Sequence, residues 1–162
     1  MRLFLASGVV WLHLLVAVAW IGGMLFLSLV LVPVFKREGF AGERATLFQS
    51  LALRFRLVVW ASIVTLVATG SMLLASRVES LAEPATWPFV LKLKLTLVAV
   101  LIALTAGHDF WLGPKAAGLA RRPSVDRSEA EQRLIRLSPW IARLGLLLAL
   151  IILLLGVAVA RT

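Results

Sequence analysis

WLHLLVAVAWIGGM, residues 11–24, is the stretch from which the rest of the chain is interpreted. It lies inside a long apolar run and contains His13, one of two histidines in the protein. Trp20 follows two helical turns later and therefore shares a helix face with His13. A polar imidazole inside a membrane-length helix needs a partner, so His13 marks a candidate functional site.

The composition around this stretch indicates a membrane protein. The chain has 162 residues and is 61% hydrophobic, and its mean hydropathy is +0.99. Soluble domains are roughly 45–50% apolar, and several apolar runs here approach the ~20 residues that cross a bilayer. We therefore predict an all-α integral membrane protein whose single domain covers residues 1–162. Cysteine and tyrosine are absent, which excludes disulfides, thiolate metal sites and tyrosyl chemistry.

Four spans are expected, at about residues 3–35, 57–75, 88–112 and 140–160. Gly113-Pro114 is predicted to end the third span, and Ser138-Pro139 to provide the N-cap and first residue of the fourth. Ser128 and Glu131 fit a capping box that would start a short interfacial helix before that. The segment 41–56 is expected to be helical already.

The basic residues predict the topology. The first and third loops contain most of them: Lys36, Arg37, Arg44, Arg54 and Arg56, then Lys115, Arg121, Arg122, Arg127, Arg133, Arg136 and Arg143. The middle loop has only Arg77. The positive-inside rule then places both basic loops in the cytoplasm of a bacterial-type inner membrane, with both termini outside. The net charge of +9 predicts contact with anionic lipid headgroups, and nucleic acid is not expected as a partner. The short connections between the spans favour an up-down-up-down four-helix bundle.

Polar and small residues form stripes on the first two spans. His13, Trp20 and Met24 share a face beside Gly23, which is either a close-packed helix contact or a ligand site. For His13 a ligand or redox role is preferred. On the second span Ser62, Thr65 and Thr69 recur at helical spacing, before Met72. Their hydroxyls either bond back to their own helix or face the polar edge of a cofactor.

The third span carries Lys94 and His108 on one face. Snorkelling to the interface is the simpler interpretation of Lys92, whereas Lys94 points inward. His108-Asp109 lies near the end of the span, where the pair is either solvated or functional. The predicted depth of His13 differs from that of Lys94 by roughly 8 Å and from that of His108 by roughly 12 Å. One iron held by both histidines is therefore not expected. The fourth span has no polar group beyond Arg143 and is predicted to be a lipid-facing wall.

These segments resemble CopD-like (copper resistance protein D) membrane proteins. The segments that carry the resemblance are H-x6-W-x-G-G at 13–23, RFR at 54–56, TG at 69–70, LKLKL at 91–95 and HDFWLGP at 108–114. The layout is also similar to that of the HemJ-type protoporphyrinogen oxidases, a family associated with b-type haem. That likeness carries over to His13, Lys94 and His108. The late first span lacks the Arg of that family and the last span lacks its Asn-Glu pair, which favours the CopD-like branch.

The resemblance leads to three functional hypotheses. In the first, His13 is the axial ligand of haem b, and the propionates pair with Lys94 and, as a further candidate, Lys92. Trp20, Gly22 and Gly23 would then wall the macrocycle, and His108 would belong to the same binding region. The second is copper transport along a ladder of weak sites, which would be His13, Met24, Met72 and His108. The third is a non-catalytic subunit of a membrane complex, with a redox partner or a second copy of the chain as its contact.

Overall fold

The computed structural model describes residues 2–34, 43–78, 80–120, 122–123 and 126–161. These residues are almost entirely helical and include no β-strand. Four helical segments are long and apolar enough to cross a membrane: Ser7–Val34, Gln49–Ala75, Phe89–Ala120 and Glu129–Ala160. The all-α membrane fold with four spans is therefore confirmed. The residues expected to end the first span, 36–39, lie outside the described part of the chain.

The chain divides into two compact units, Met1–Pro88 and Phe89–Thr162. Unit 1 contains helices α1 (Arg2–Phe26) and α2 (Glu43–Ala75), and a short 3-10 turn, Pro84–Thr86, follows them. Unit 2 contains α3 (Phe89–Gly107), α4 (Gly113–Ala120) and α5 (Glu129–Arg161). Two π-helical turns interrupt the α-helices, Leu27–Leu31 after α1 and His108–Leu112 between α3 and α4.

Unit 1 is an antiparallel helical hairpin. His13 near the start of α1 lies against Thr69 near the end of α2, whereas Gly23 near the end of α1 lies against Phe55. The small buried core of the hairpin is formed by one face of each helix: Trp20, Ile21, Val59 and Ile63. The remaining faces expose large apolar side chains, as expected where lipid replaces water as the surrounding solvent.

Unit 2 is also an antiparallel hairpin, with α3 and α5 as its two long helices. Its most deeply buried side chains are Leu101 of α3 and Ala149 of α5, each 3% exposed. The short helix α4 continues from the π turn and contacts α5, burying Ala116 and Leu119. The fourth predicted span therefore packs against the third span with one face. Its other faces expose apolar side chains.

The predicted end of the third span at Gly113-Pro114 is wrong, because the helix continues to Ala120. The π turn explains why the proline is tolerated. The Gly113 N–H bonds to the His108 carbonyl, five residues earlier, so the turn is wider than an α-helical one. Pro114, the second residue of α4, directly follows this wider turn, so its missing N–H falls where the hydrogen bonding changes from the π to the α pattern.

The predicted start of the fourth span at Ser138-Pro139 is also wrong. Helix α5 begins at Glu129 and contains Pro139 in its interior. The capping box that the sequence predicts is present and starts the long helix itself: Glu131 accepts the Ser128 N–H at 2.8 Å, and Ser128 Oγ accepts the Glu131 N–H at 3.3 Å. Likewise α2 begins at Glu43, so the helical segment expected at 41–56 is continuous with the second span.

The two hairpins repeat one plan. In each, the first helix runs into a five-residue π turn and then a proline, and the second helix has 33 residues. His13 precedes the first π turn by as many residues as Lys94 precedes the second. Gly70 and Gly156 hold the same position within their 33-residue helices, and they lie against His13 and Lys94 respectively.

Candidate functional site

The best-defined polar contact of unit 1 joins His13 of α1 to Thr69 of α2. The His13 Nδ1 and the Thr69 Oγ1 are 2.7 Å apart. Thr69 is buried, with 6% of its surface exposed, and His13 is half-buried. A short contact in an apolar hairpin is electrostatically stronger than the same contact in water, so it fixes the orientation of the imidazole.

The hydrogen-bonding contacts of Thr69 indicate one tautomer of His13. Thr69 donates its hydroxyl proton to the Thr65 carbonyl at 2.7 Å. With its single proton assigned to that carbonyl, Oγ1 acts as an acceptor toward the ring. The same assignment places a proton on the His13 Nδ1 and the lone pair on Nε2. This is the protonation state in which histidine ligates metals, with the other nitrogen donating to an oxygen.

Gly70 allows the His13 ring to lie against the backbone of α2. A Cβ atom added to Gly70 would come 3.4 Å from the His13 Cε1, at the near limit of van der Waals contact. A larger side chain at position 70 would occupy the volume of the ring. Gly70 and Thr69 thus act together, one by leaving space and the other by accepting the proton.

Trp20 supplies an unusual buried donor in the same unit. Its side chain is only 7% exposed, and its Nε1 finds no hydrogen-bond partner among the described residues. A buried N–H without an acceptor costs roughly 1–3 kcal/mol. An incoming ligand with an oxygen acceptor would remove that penalty.

Two of the three hydroxyls in the second-span stripe, those of Thr65 and Thr69, bond back to their own helix. Thr65 donates to the Ala61 carbonyl at 2.9 Å, and Thr69 donates to its own helix in the same way. Thr69 also serves as the acceptor for His13. The i, i+4 spacing of Thr65 and Thr69 could have predicted the back-bonding, and only the pairing of α1 with α2 shows which threonine meets the histidine.

The space beside Gly23 is filled by a side chain of the same unit. A Cβ atom at Gly23 would be 2.5 Å from the Phe55 Cε2, so the edge of that ring occupies the space. Met24 is half-buried, and Met72 is 59% exposed on the hairpin surface. The described residues contain no cluster of three or more His, Cys, Asp or Glu side chains able to hold a metal. The roles of Gly23, Met24 and Met72 toward a cofactor or copper stay predictions.

In unit 2 the structure gives Lys94 and His108 different surroundings. The Lys94 Nζ lies 3.4 Å from the point where a Cβ on Gly156 would stand, which places the ammonium against α5. His108 has two polar neighbours: its Nδ1 is 3.2 Å from the Asp109 Oδ1, and its Nε2 is 3.4 Å from the Ser138 Oγ. Sequence reasoning missed Ser138, because it assigned this residue to a helix N-cap.

Comparison with known proteins finds one full-length similarity. An uncharacterized protein from Aquifex aeolicus (strain VF5) is 29% identical over 158 residues, covering 97% of this chain and 96% of that protein. No protein-family model matches the chain, and no solved structure matches it.

Proposed function

We propose that the protein is a CopD-like integral membrane protein that binds b-type haem, with the Nε2 of His13 as an axial ligand. The observation that carries the proposal is the 2.7 Å contact between the His13 Nδ1 and the Thr69 Oγ1, which we assign as donation by Nδ1–H. Histidines that ligate metals almost always donate their other ring N–H to an oxygen, which fixes the ring and raises its basicity. Thr69 performs that role here because its own proton is bonded to the Thr65 carbonyl.

Two further features of unit 1 support haem over an uncomplexed structural histidine. Gly70 offers no side chain on the His13 side of α2, where a Cβ would touch the imidazole. Trp20 lies two helical turns from His13 on the same face of α1, where its buried indole would wall the macrocycle. When bound, haem supplies one-electron chemistry whose potential is set by the axial ligand, the hydrogen bonds and the burial of the site.

The division of labour among the residues follows from these contacts. His13 would hold the iron, Thr69 would hold His13, and Trp20 would wall the macrocycle. The protein would transfer electrons in the membrane or oxidise a membrane-soluble substrate. The roles predicted for Lys94, Lys92 and His108 toward the same cofactor stay predictions.

The membrane setting of the proposal is a bacterial-type cytoplasmic membrane with both termini outside. Its support is the distribution of basic residues, which concentrate in the first and third loops. Anionic lipid headgroups would neutralise those loops. Reporter fusions to the C-terminus test the orientation, because a periplasm-active enzyme should be functional there and a cytoplasm-active reporter should not.

The test of haem binding is reconstitution of the purified protein. Haem added to detergent-solubilised wild-type protein should produce a Soret band that saturates at one haem per chain, and Thr65→Val should titrate identically because Thr65 only bonds to its own helix. Titration of the same protein with Cu(I) addresses the copper alternative. Saturable copper binding that depends on His13 and Met24, together with no haem binding, would replace the haem proposal.

A further inference from the structure

The three side chains Asp109, His108 and Ser138 form one hydrogen-bonded chain at the π turn of unit 2, called here the Ser138 cluster. The Asp109 Oδ1 lies 3.2 Å from the His108 Nδ1, and the His108 Nε2 lies 3.4 Å from the Ser138 Oγ. The carboxylate accepts the Nδ1 proton. Nε2 then holds the lone pair and faces a hydroxyl, which is the relation of a general base to a serine nucleophile.

The repeated plan of the two hairpins provides an internal comparison for this cluster. His108 and Asp109 are the first two residues of the second π turn, and Leu27 and Ser28 are the first two of the other. Ser138 holds the same position in α5 that Ala52 holds in α2. Unit 1 therefore builds the same π turn with Leu27 and Ala52 in place of the base and the hydroxyl.

This comparison separates fold from function. Because the hairpin forms with apolar residues at the two key positions in unit 1, the geometry of the turn does not demand a histidine and a serine. π-Helical turns are frequent at functional sites. The Ser138 cluster is therefore better explained by chemistry than by packing.

The surroundings of the cluster indicate where its substrate would lie. Trp111 and Trp140 are 68% and 63% exposed. The Lys115 Nζ is 5.7 Å from the centre of the Trp111 ring, and the Arg143 guanidinium carbon is 4.9 Å from that of Trp140. Exposed tryptophans beside cations are typical of the membrane–water interface. The cluster thus lies at the level of the boundary between headgroups and acyl chains, where ester bonds of amphiphiles are found.

We propose that Ser138 is the nucleophile of an acyl-transfer site that takes a carboxylic ester of a membrane-embedded amphiphile. His108 is its general base, and Asp109 holds the base in the required tautomer. The arrangement matches the roles of a serine–histidine–carboxylate triad. The serine–histidine distance is slightly long, as is common for such pairs before substrate binds. This activity depends on unit 2 alone and is independent of haem binding at His13.

The reaction balances with water as the only co-reactant. The Ser138 Oγ attacks the ester carbonyl carbon, and its proton passes to the His108 Nε2. The carbon–oxygen bond of the ester breaks, and the leaving alcohol takes the proton from His108. Water then attacks the acyl-serine ester, gives a proton to His108 and releases the carboxylic acid, after which the proton returns to Ser138.

Covalent labelling of the full-length protein tests the proposal. The purified chain in nanodiscs is incubated with a fluorophosphonate probe, which forms an oxygen–phosphorus bond to an activated serine and releases fluoride. Peptide mass spectrometry of the wild-type protein should place the label on Ser138. Ser138→Ala should abolish labelling, His108→Gln should slow it about a hundredfold, and Asp109→Asn should slow it at least about tenfold.

The control is Ser76→Ala, because the Ser76 hydroxyl bonds only to the Leu73 carbonyl among its described contacts; this variant should label at the wild-type rate. An unlabelled wild-type protein that is folded by circular dichroism would overturn the proposal. Labelling at another serine, or a rate unchanged by His108→Gln, would overturn it as well. Mapping on the wild-type protein requires no variant to fold, so the result is decisive even where a substitution prevents expression.

Discussion

The His13 Nδ1 lies 2.7 Å from the Thr69 Oγ1, which itself lies 2.7 Å from the Thr65 carbonyl oxygen. Because a carbonyl only accepts, we assign the Thr69 proton to Thr65 and the His13 Nδ1 as the donor to Thr69. This chain of contacts joins two helices of unit 1 through a single buried hydroxyl. The consequence is an imidazole of fixed tautomer and orientation inside an apolar hairpin, which is what a metal ligand needs and what a solvated histidine lacks.

Thr69→Val should weaken haem binding by about tenfold to a hundredfold, because it removes the acceptor that orients His13 while keeping the shape of the side chain. Titration of the haem-free protein, followed at the Soret band, measures the change. Thr65→Val is the matched control, since it removes a hydroxyl that bonds only within α2. Equal affinities for the two variants would show that Thr69 does not support the ligand.

Trp20→Phe should lower haem affinity without lowering the stability of the haem-free protein. The substitution removes a buried N–H that has no acceptor among the described residues, and relief of that penalty of roughly 1–3 kcal/mol offsets the lost contact area. Thermal unfolding in detergent and haem titration measure the two effects separately. A large drop in the unfolding temperature with unchanged affinity would assign Trp20 to packing alone.

Gly23→Ala should destabilise unit 1 because a Cβ there would stand 2.5 Å from the Phe55 ring. Overpacking of this kind costs typically 1–3 kcal/mol. Gly22→Ala is a control on the neighbouring residue, since nothing lies within 4 Å of its added Cβ, and its unfolding temperature should be unchanged or higher. Phe55→Leu should rescue Gly23→Ala, and a failure of that rescue would mean that the clash lies elsewhere.

Ser128→Ala should destabilise the start of α5 by about 1 kcal/mol, because it removes the hydroxyl half of the capping box. The Ser128 Oγ accepts the Glu131 N–H at 3.3 Å, and the backbone N–H of Ser128 donates to Glu131. Ser128→Asn keeps an acceptor for the Glu131 N–H and a donor for the Glu131 carboxylate, which the Ser128 Oγ contacts at 3.2 Å, and should retain most of the stability. Thermal unfolding compares the two variants, and equal losses in both would exclude a capping role.

The sequence predicts the number and approximate position of the spans because an apolar run of membrane length has few alternatives. The sequence predicts the ends of the helices poorly where a proline is present. Pro114 and Pro139 are read as helix boundaries, yet one follows a π turn and the other stands inside α5. A π turn adds one residue per turn without a distinct hydrophobic signal, so periodicity alone does not reveal that a helix continues past it.

The candidate site, like the spans, is only partly predictable from the sequence. His13 is predictable because its polarity is exceptional in an apolar run. Thr69 and Ser138 are not, since hydroxyl residues in helices are common and usually bond to their own backbone. Their roles depend on which helix faces pair, and pairing is a tertiary property. The equivalence of Gly70 and Gly156 is likewise hidden, because the two hairpins share positions and not residue patterns.

The absorbance spectrum of the haem-reconstituted protein tests the central claim most directly when wild-type, His13→Ala and His108→Ala proteins are compared after the same purification. We expect a Soret band for the wild-type protein, its loss in His13→Ala, and its retention in His108→Ala, because His108 is bonded within the Ser138 cluster. A wild-type protein that remains colourless after haem addition, or a His13→Ala protein with an unchanged spectrum, would contradict it.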